Sequence, residues 1–285
     1  MSLPTDRANW RAVFVFGLAS LLTIGLGAVV MAQGDVPLGI WIRNPVAWLI
    51  AGALSLVLAS RGWLGAAMAP IALIVVALSL IGPDQQGVHR WLDLGPVQLN
   101  AAALVLPAAI AAFMRTPAQV AVPIFAILAG LLAWQPDISQ LAAFAFATFI
   151  LASTRFGWRG AIAAAAIAAA AIALCLSRPD PLLPVAHVEG IFFLAWDQQP
   201  ALAIAMGLAL AAACLSPLLL PTTPENRGPS MALTGYFALT GAAFLLDAYP
   251  VPLAGYGLSF VIGWWLGFAC LSVRGRESVN SLTSG

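Results

Sequence analysis

The sequence contains no lysine: all 12 of its basic residues are arginine. Charge of either sign is scarce, at 8% of 285 residues, where a soluble domain carries about 25%. A chain so poor in charge cannot cover a water-facing surface, which excludes a soluble globular protein. The net charge of +1 excludes the basic field that nucleic-acid binding requires. Cysteine is equally rare. Cys175, Cys214 and Cys270 all lie inside apolar runs, with neither C-x-x-C spacing nor a disulfide framework, and read as buried thiols. The two histidines, His89 and His187, show no metal-ligand spacing. No Walker A motif, dinucleotide fingerprint or Ser-His-Asp arrangement is present. Any group transfer must therefore draw its activation from the substrate.

Apolar residue types are abundant instead, at 62% of the chain, with a mean hydropathy of +0.96. Lipid solvates such a surface directly. Apolar runs bounded by charge, proline or glycine fall at roughly 12–32, 44–60, 62–82, 98–114, 118–134, 138–154, 158–177, 200–220, 230–248 and 254–273. The expectation is an all-α, polytopic membrane protein of about ten spans, forming a single domain over 1–285. The first run is too long for the h-region of a signal peptide, about 7–15 residues, and reads as a retained helix. Alanine dominates from Ala161 to Ala173, a composition that lets membrane helices approach closely. The polar stretch 275–285 reads as a disordered tail.

The arginines are distributed unevenly. With the N-terminus in the cytoplasm, Arg7, Arg11, Arg61, Arg115, Arg155, Arg159, Arg227, Arg274 and Arg276 lie inside, and only Arg43, Arg90 and Arg178 outside. This fits the positive-inside rule and puts both termini in the cytoplasm. Most acidic residues sort outward, among them Asp137, Asp180, Glu189 and Asp197. Polar chemistry is thus expected on the outer face, where the segments 83–97 and 178–199 are the longest that do not span.

Four outward segments carry a pattern: Gly87-Val88-His89-Arg90-Trp91-Leu92-Asp93-Leu94-Gly95-Pro96; Gln135-Pro136-Asp137; Ala186-His187-Val188-Glu189-Gly190-Ile191-Phe192, followed by Asp197-Gln198; and Pro252-Leu253-Ala254-Gly255-Tyr256-Gly257-Leu258-Ser259. In this order, on a ten-span chain, they resemble the shape–elongation–division–sporulation family of RodA/FtsW-type peptidoglycan glycosyltransferases. The resemblance puts Arg90 and Trp91 on the family's G-x-x-R-W-x-x-L-G-P segment and Asp137 on its Q-P-D. Glu189 falls where the A-H-T-D-F-I-F segment carries a catalytic aspartate, after His187. The family's later E-E pair falls on Asp197 and Gln198 without a gap. Pro252, Tyr256, Gly257 and Ser259 are kept from its P-F-x-S-Y-G-G-S-S. The chain departs from the family where Asn100-Ala101-Ala102-Ala103 stands for Q-P-S-E, where Ser139 and Gln140 follow Q-P-D, and where a bridge of about ten residues, Ser177 to Ala186, replaces a long loop.

What the resemblance implies is a multi-pass protein of the bacterial inner membrane, acting in cell-wall synthesis during cell shape or division. Its substrate would be a lipid-linked disaccharide pyrophosphate on the outer leaflet. Its partner would be a single-span transpeptidase, a class B penicillin-binding protein, beside membrane lipids and no nucleic acid. Glu189 is then the general base and Arg90 the counterion of the departing pyrophosphate. Trp91, Asp137, His187, Asp197 and Tyr256 become candidate substrate contacts. No cofactor is identified; a divalent cation is left open.

The residues alone leave blander roles open. Glu189 reads equally as a solvated loop carboxylate or a helix cap, and Arg90 as an interfacial arginine reaching headgroups. Trp91 fits an aromatic belt, Asp137 an N-cap of the sixth span, and Tyr256, Gly257 and Ser259 a tight turn. Two rival functions stand beside the enzyme: a non-catalytic scaffold or regulator of a cell-wall synthase, and a lipid-precursor flippase or transporter. The flippase ranks third, because ionisable residues sit in loops and at span ends rather than within spans.

Overall fold

The computed structural model describes residues 7–178, 180–221, 224–246 and 249–272. The stretch 275–285 lies outside them. Helices occupy the apolar runs. In chain order they are α1 (Arg7–Gln33), the short α2 (Leu38–Trp41), α3 (Arg43–Ser60), α4 (Met68–Ser79), α5 (Ala101–Ala112), α6 (Ala118–Trp134), α7 (Ile138–Leu176), α8 (Ile191–Gln198), α9 (Pro200–Leu215), α10 (Pro224–Ala242) and α11 (Leu258–Ser272). Single 3-10 turns extend α5, α9 and α10 over Phe113–Arg115, Ser216–Leu219 and Ala243–Leu245. The run expected at 62–82 is helical only over Met68–Ser79, because Gly62, at φ 73°, opens a turn before it. Likewise 254–257 is a turn rather than the start of α11.

The helix α7 is a hairpin. Its 39 residues would reach about 58 Å if straight, nearly twice a hydrocarbon core of about 30 Å. Gly157, at φ 64° and ψ −153°, adopts backbone angles that are essentially glycine's alone. The chain reverses there. As a result Arg178, just past the end of α7, lies with its guanidinium 3.9 Å from the ring centroid of Trp134, just before its start. We refer to 138–156 and 158–176 as the first and second arms of α7.

The core forms around α11, which packs on α5, α3 and α10. Gly263 and Gly267 of α11 lie so close to Ala103 and Pro107 of α5 that a Cβ at either position would overlap the α5 backbone. Small residues permit this approach where no hydrophobic effect drives helices together in lipid. Phe16 stacks on Phe268 at 4.4 Å and Phe237 on Trp264 at 4.0 Å, filling the space between α1, α10 and α11. Leu49, Ile74, Ile162 and Leu208 point outward, the inverse of a soluble protein's surface. Four helical stretches are long and apolar enough by themselves to cross a membrane: Asn9–Gln33, Leu38–Ser60, Ile138–Leu176 and Pro200–Leu219. Met68–Ser79, Ala101–Arg115, Ala118–Trp134 and Leu258–Ser272 are shorter apolar helices.

Arginines close one end of the bundle. Arg115 donates to the carbonyls of Leu64 and Cys270, at 2.8 and 3.0 Å. Arg155 donates to those of Phe113 and Thr116, at 3.0 and 2.8 Å. These carbonyls lie at helix ends and turns, where the helical ladder leaves acceptor capacity open. At the opposite end the chain forms an element not anticipated from the sequence, a two-stranded antiparallel hairpin of β1 (Trp91–Asp93) and β2 (Gln98–Asn100). Its turn is held by the Gly95 amide donating to Asp93 Oδ1 at 2.7 Å.

Candidate functional site

The four outward segments converge on one polar cavity of about 520 Å³ at the hairpin end of the bundle. Arg90, Trp91, Asp137, Glu189 and Tyr256 all line it. The His187 ring and Asp197 do not: Asp197 is exposed on α8, and His187 contributes its carbonyl, which accepts from the Tyr256 amide at 3.0 Å.

Arg90 precedes β1 and is buried, with 9% of its surface exposed. Its Nε donates to the Gln135 carbonyl at 3.0 Å and its Nη2 to the Pro136 carbonyl at 2.9 Å. Nη2 also donates to Asp180 Oδ2, and Asp137 Oδ2 lies 4.0 Å from Nε. The guanidinium therefore ties the hairpin to the α6–α7 corner and to the loop after α7. Among the described residues, none accepts from its Nη1, which leaves two N–H groups for another ligand.

Asp137 is the N-cap of α7, its Oδ1 accepting from the Gln140 amide at 3.3 Å and from Ser139 Oγ at 3.2 Å. Its Oδ2 accepts from Asn100 Nδ2 at 3.4 Å. Asn100 in turn caps α5, accepting from the Ala103 amide at 2.9 Å. Its own amide donates to Ser259 Oγ at 2.7 Å. Asn100 thus starts its helix with a side-chain cap although Q-P-S-E is absent.

Glu189 sits in the loop before α8, which is capped by Gly190 without a side-chain bond. Its carboxylate Oε2 accepts from the Val185 amide at 2.8 Å instead. Burial raises its carboxyl above the ordinary glutamate value, and nearby Asp180 adds to the rise. The Val185 amide, its own amide and Arg90 oppose it. Burial likewise lowers His187. The loop is stitched to the turn before α11: the Val251 amide donates to the Val188 carbonyl at 3.3 Å. Gly255 lies so close to that carbonyl that a Cβ there would overlap it.

Three further residues belong to the site and escaped the sequence reading. Arg43, at the start of α3, donates through Nη1 to Tyr256 Oη at 3.2 Å and to the Pro96 carbonyl at 3.4 Å. Asn44 is buried and donates to the Gly255 carbonyl at 2.8 Å, while the Gly257 amide donates back to its Oδ1 at 3.3 Å. Asp180 is the third. Arg43 had one available signal, as one of only three outward arginines with Arg90 and Arg178. Among the described residues no three His, Cys, Asp or Glu side chains gather as a metal-binding cluster. His89, apart from His187, contacts the Gly82 carbonyl through Nδ1 at 3.2 Å.

Fold and cavity together define a polytopic helical membrane protein with a polar chamber at one end. That fold is the fold of RodA. The structure is similar to the rod shape determining protein RodA of Thermus thermophilus, with a TM-score of 0.65 and 20% identity over 94% of this chain and 96% of that one. A point-substituted form of the same Thermus protein gives a TM-score of 0.64 at 21% identity, over 94% and 97%. A chain from a peptidoglycan synthase complex coordinating polymerization and crosslinking gives 0.64 at 19%, over 94% and 98%. No protein-family model matches the sequence, and no curated protein sequence matches it.

Proposed function

We propose that this chain is a RodA-type glycosyltransferase of the bacterial inner membrane, polymerising a lipid-linked disaccharide pyrophosphate at the outer leaflet in cell-wall synthesis for cell shape. One observation carries the reading: Glu189, with its carboxyl raised by burial, shares a polar chamber with Arg90. Glu189 accepts the proton of an acceptor-sugar hydroxyl as that oxygen bonds to the donor's anomeric carbon. The bond from that carbon to the phosphate oxygen breaks, and the pyrophosphate leaves with the electron pair. Its growing charge is met by the free Nη1 of Arg90 and by Arg43 at the rim, where fixed cations act most strongly on the transition state.

The solved relative belongs to a peptidoglycan synthase complex, and by analogy this chain works beside a single-span transpeptidase. One observation favours the rival scaffold reading. Asp180 holds Nη2 of Arg90, so half of the guanidinium edge is already occupied. The test is polymerisation of lipid-linked disaccharide by the purified full chain, with and without a co-expressed transpeptidase. Polymer that disappears in Glu189→Gln supports catalysis. Absence of polymer in both preparations, with the transpeptidase still co-purifying, gives the scaffold first place.

A further inference from the structure

A second cavity, of about 330 Å³, lies at the arginine-closed end of the bundle, between α6 and the two arms of α7. Phe113, Phe125 and Phe144 form its inner wall, and Ala164 and Ile167 of the second arm its outer one. Its origin is legible in the sequence. From Ala161 to Ala173 only Ile162, Ile167 and Ile172 interrupt alanine. Methyl side chains are too short to reach α6 across the gap, so the arm stands off from the bundle.

Protein interiors do not leave apolar space of this size empty without cost, and water does not enter an apolar void. Exposed Ile162 and Ala163 put the second arm at the lipid boundary, where the available filling is a hydrocarbon chain. The wall also carries one charge. Arg159 is the only charged residue lining the cavity among those described. It is exposed and its guanidinium lies 5.4 Å from the ring of Trp158, the pairing of arginine and tryptophan found at membrane interfaces. No described carboxylate lines the cavity to neutralise it.

The geometry points to a binding site for an anionic phospholipid of the cytoplasmic leaflet, one acyl chain in the cavity and its phosphate on Arg159. Basic pockets between helices on the cytoplasmic side take anionic headgroups in this way. The site is separate from the outward chamber and independent of the reaction there. It also gives the loosely packed second arm an apolar surface to rest on.

Native mass spectrometry of the full chain in detergent tests this, with equimolar phosphatidylglycerol and phosphatidylcholine of matched chain length. The wild type is expected to retain phosphatidylglycerol about fivefold over phosphatidylcholine, the preference expected from one arginine at an anionic headgroup. Arg159→Gln brings the ratio near one, and Ala164→Phe, which fills the cavity, lowers retention of both lipids. Ala163→Phe, at the more exposed neighbouring position, replaces Ala164→Phe if that variant does not elute as a single species. Equal retention of the two lipids by the wild type overturns the proposal. So does a preference that survives Arg159→Gln, or undiminished retention in the filled variant.

Discussion

Arg90 and Asp180 hold each other by a charge-assisted hydrogen bond although 90 positions separate them in the chain. The pair straps the loop after α7 to the hairpin, and on the proposed function it sets Asp180 where a substrate phosphate would compete for the same guanidinium. Asp180→Ala is expected to cost about 1 kcal/mol or less, since its side chain is 33% exposed, and to lower KM for the lipid-linked substrate. Arg90→Met is expected to cost about 3 kcal/mol, because it strands the Gln135 and Pro136 carbonyls and the buried Asp137. Thermal unfolding in matched micelles separates the two, and an equal loss from both variants contradicts this account of Arg90.

Glu189→Gln is expected to lower polymerisation by roughly 10²–10⁴-fold while leaving expression unchanged. The pH dependence has two opposite signs. A carboxyl raised by burial binds its proton more tightly in the folded chain. Its contribution to stability is therefore full below the unfolded value and falls as pH rises towards the folded one. If Glu189 is the base, activity needs the ionised form, so the acid limb of kcat/KM should lie above the ordinary glutamate range. A limb at or below that range removes Glu189 as the base.

Gly157→Ala isolates one backbone conformation. Nothing lies within 4 Å of where the new Cβ would sit, so the cost is conformational strain alone, on the order of 1–3 kcal/mol. Melting temperature should fall and the contact of Arg178 with Trp134 should loosen, read as a change in tryptophan fluorescence. An unchanged melt would mean that the hairpin reverses elsewhere.

Tyr256→Phe removes the hydroxyl that accepts from Arg43. On a partly exposed bond the stability loss should be about 0.5–1.5 kcal/mol. If Arg43 meets the pyrophosphate, KM should rise more than kcat falls, and Arg43→Gln should show the same split. A pure kcat effect would assign Tyr256 to the chemistry itself.

Reporter fusions in the 83–97 and 178–199 loops should read outside, and in the 221–229 loop inside. The arginine asymmetry demands this order, and a single reversed loop breaks it.

Much of the helical architecture was legible because lipid imposes long apolar runs, and the Asp137 cap because a capping signal is local. The β1–β2 hairpin was not. Strands of three residues carry too little alternation to be seen, and tertiary contacts such as the Ala101 amide on the Arg90 carbonyl, at 2.9 Å, complete it. Arg43 and Asn44 gave no local sign of their role. They reach Tyr256, Gly255 and Gly257 only because α3 packs on α11, a meeting of segments more than 200 positions apart. The motif placed His187 beside Glu189 in sequence, yet the fold uses its carbonyl rather than its ring.

The bond from the Val185 amide to the Glu189 carboxylate ties the protonation of that carboxyl to the fold of its own loop. An ionised carboxylate only accepts hydrogen bonds, and protonation makes it a donor. A proton arriving at Glu189 weakens the clasp that folds the 185–189 turn on itself. The same stretch of chain leads back to Asp180 and its hold on Arg90. One stretch of ten residues, 180–189, thus carries both the carboxylate that holds Arg90 and the carboxyl that meets the Val185 amide.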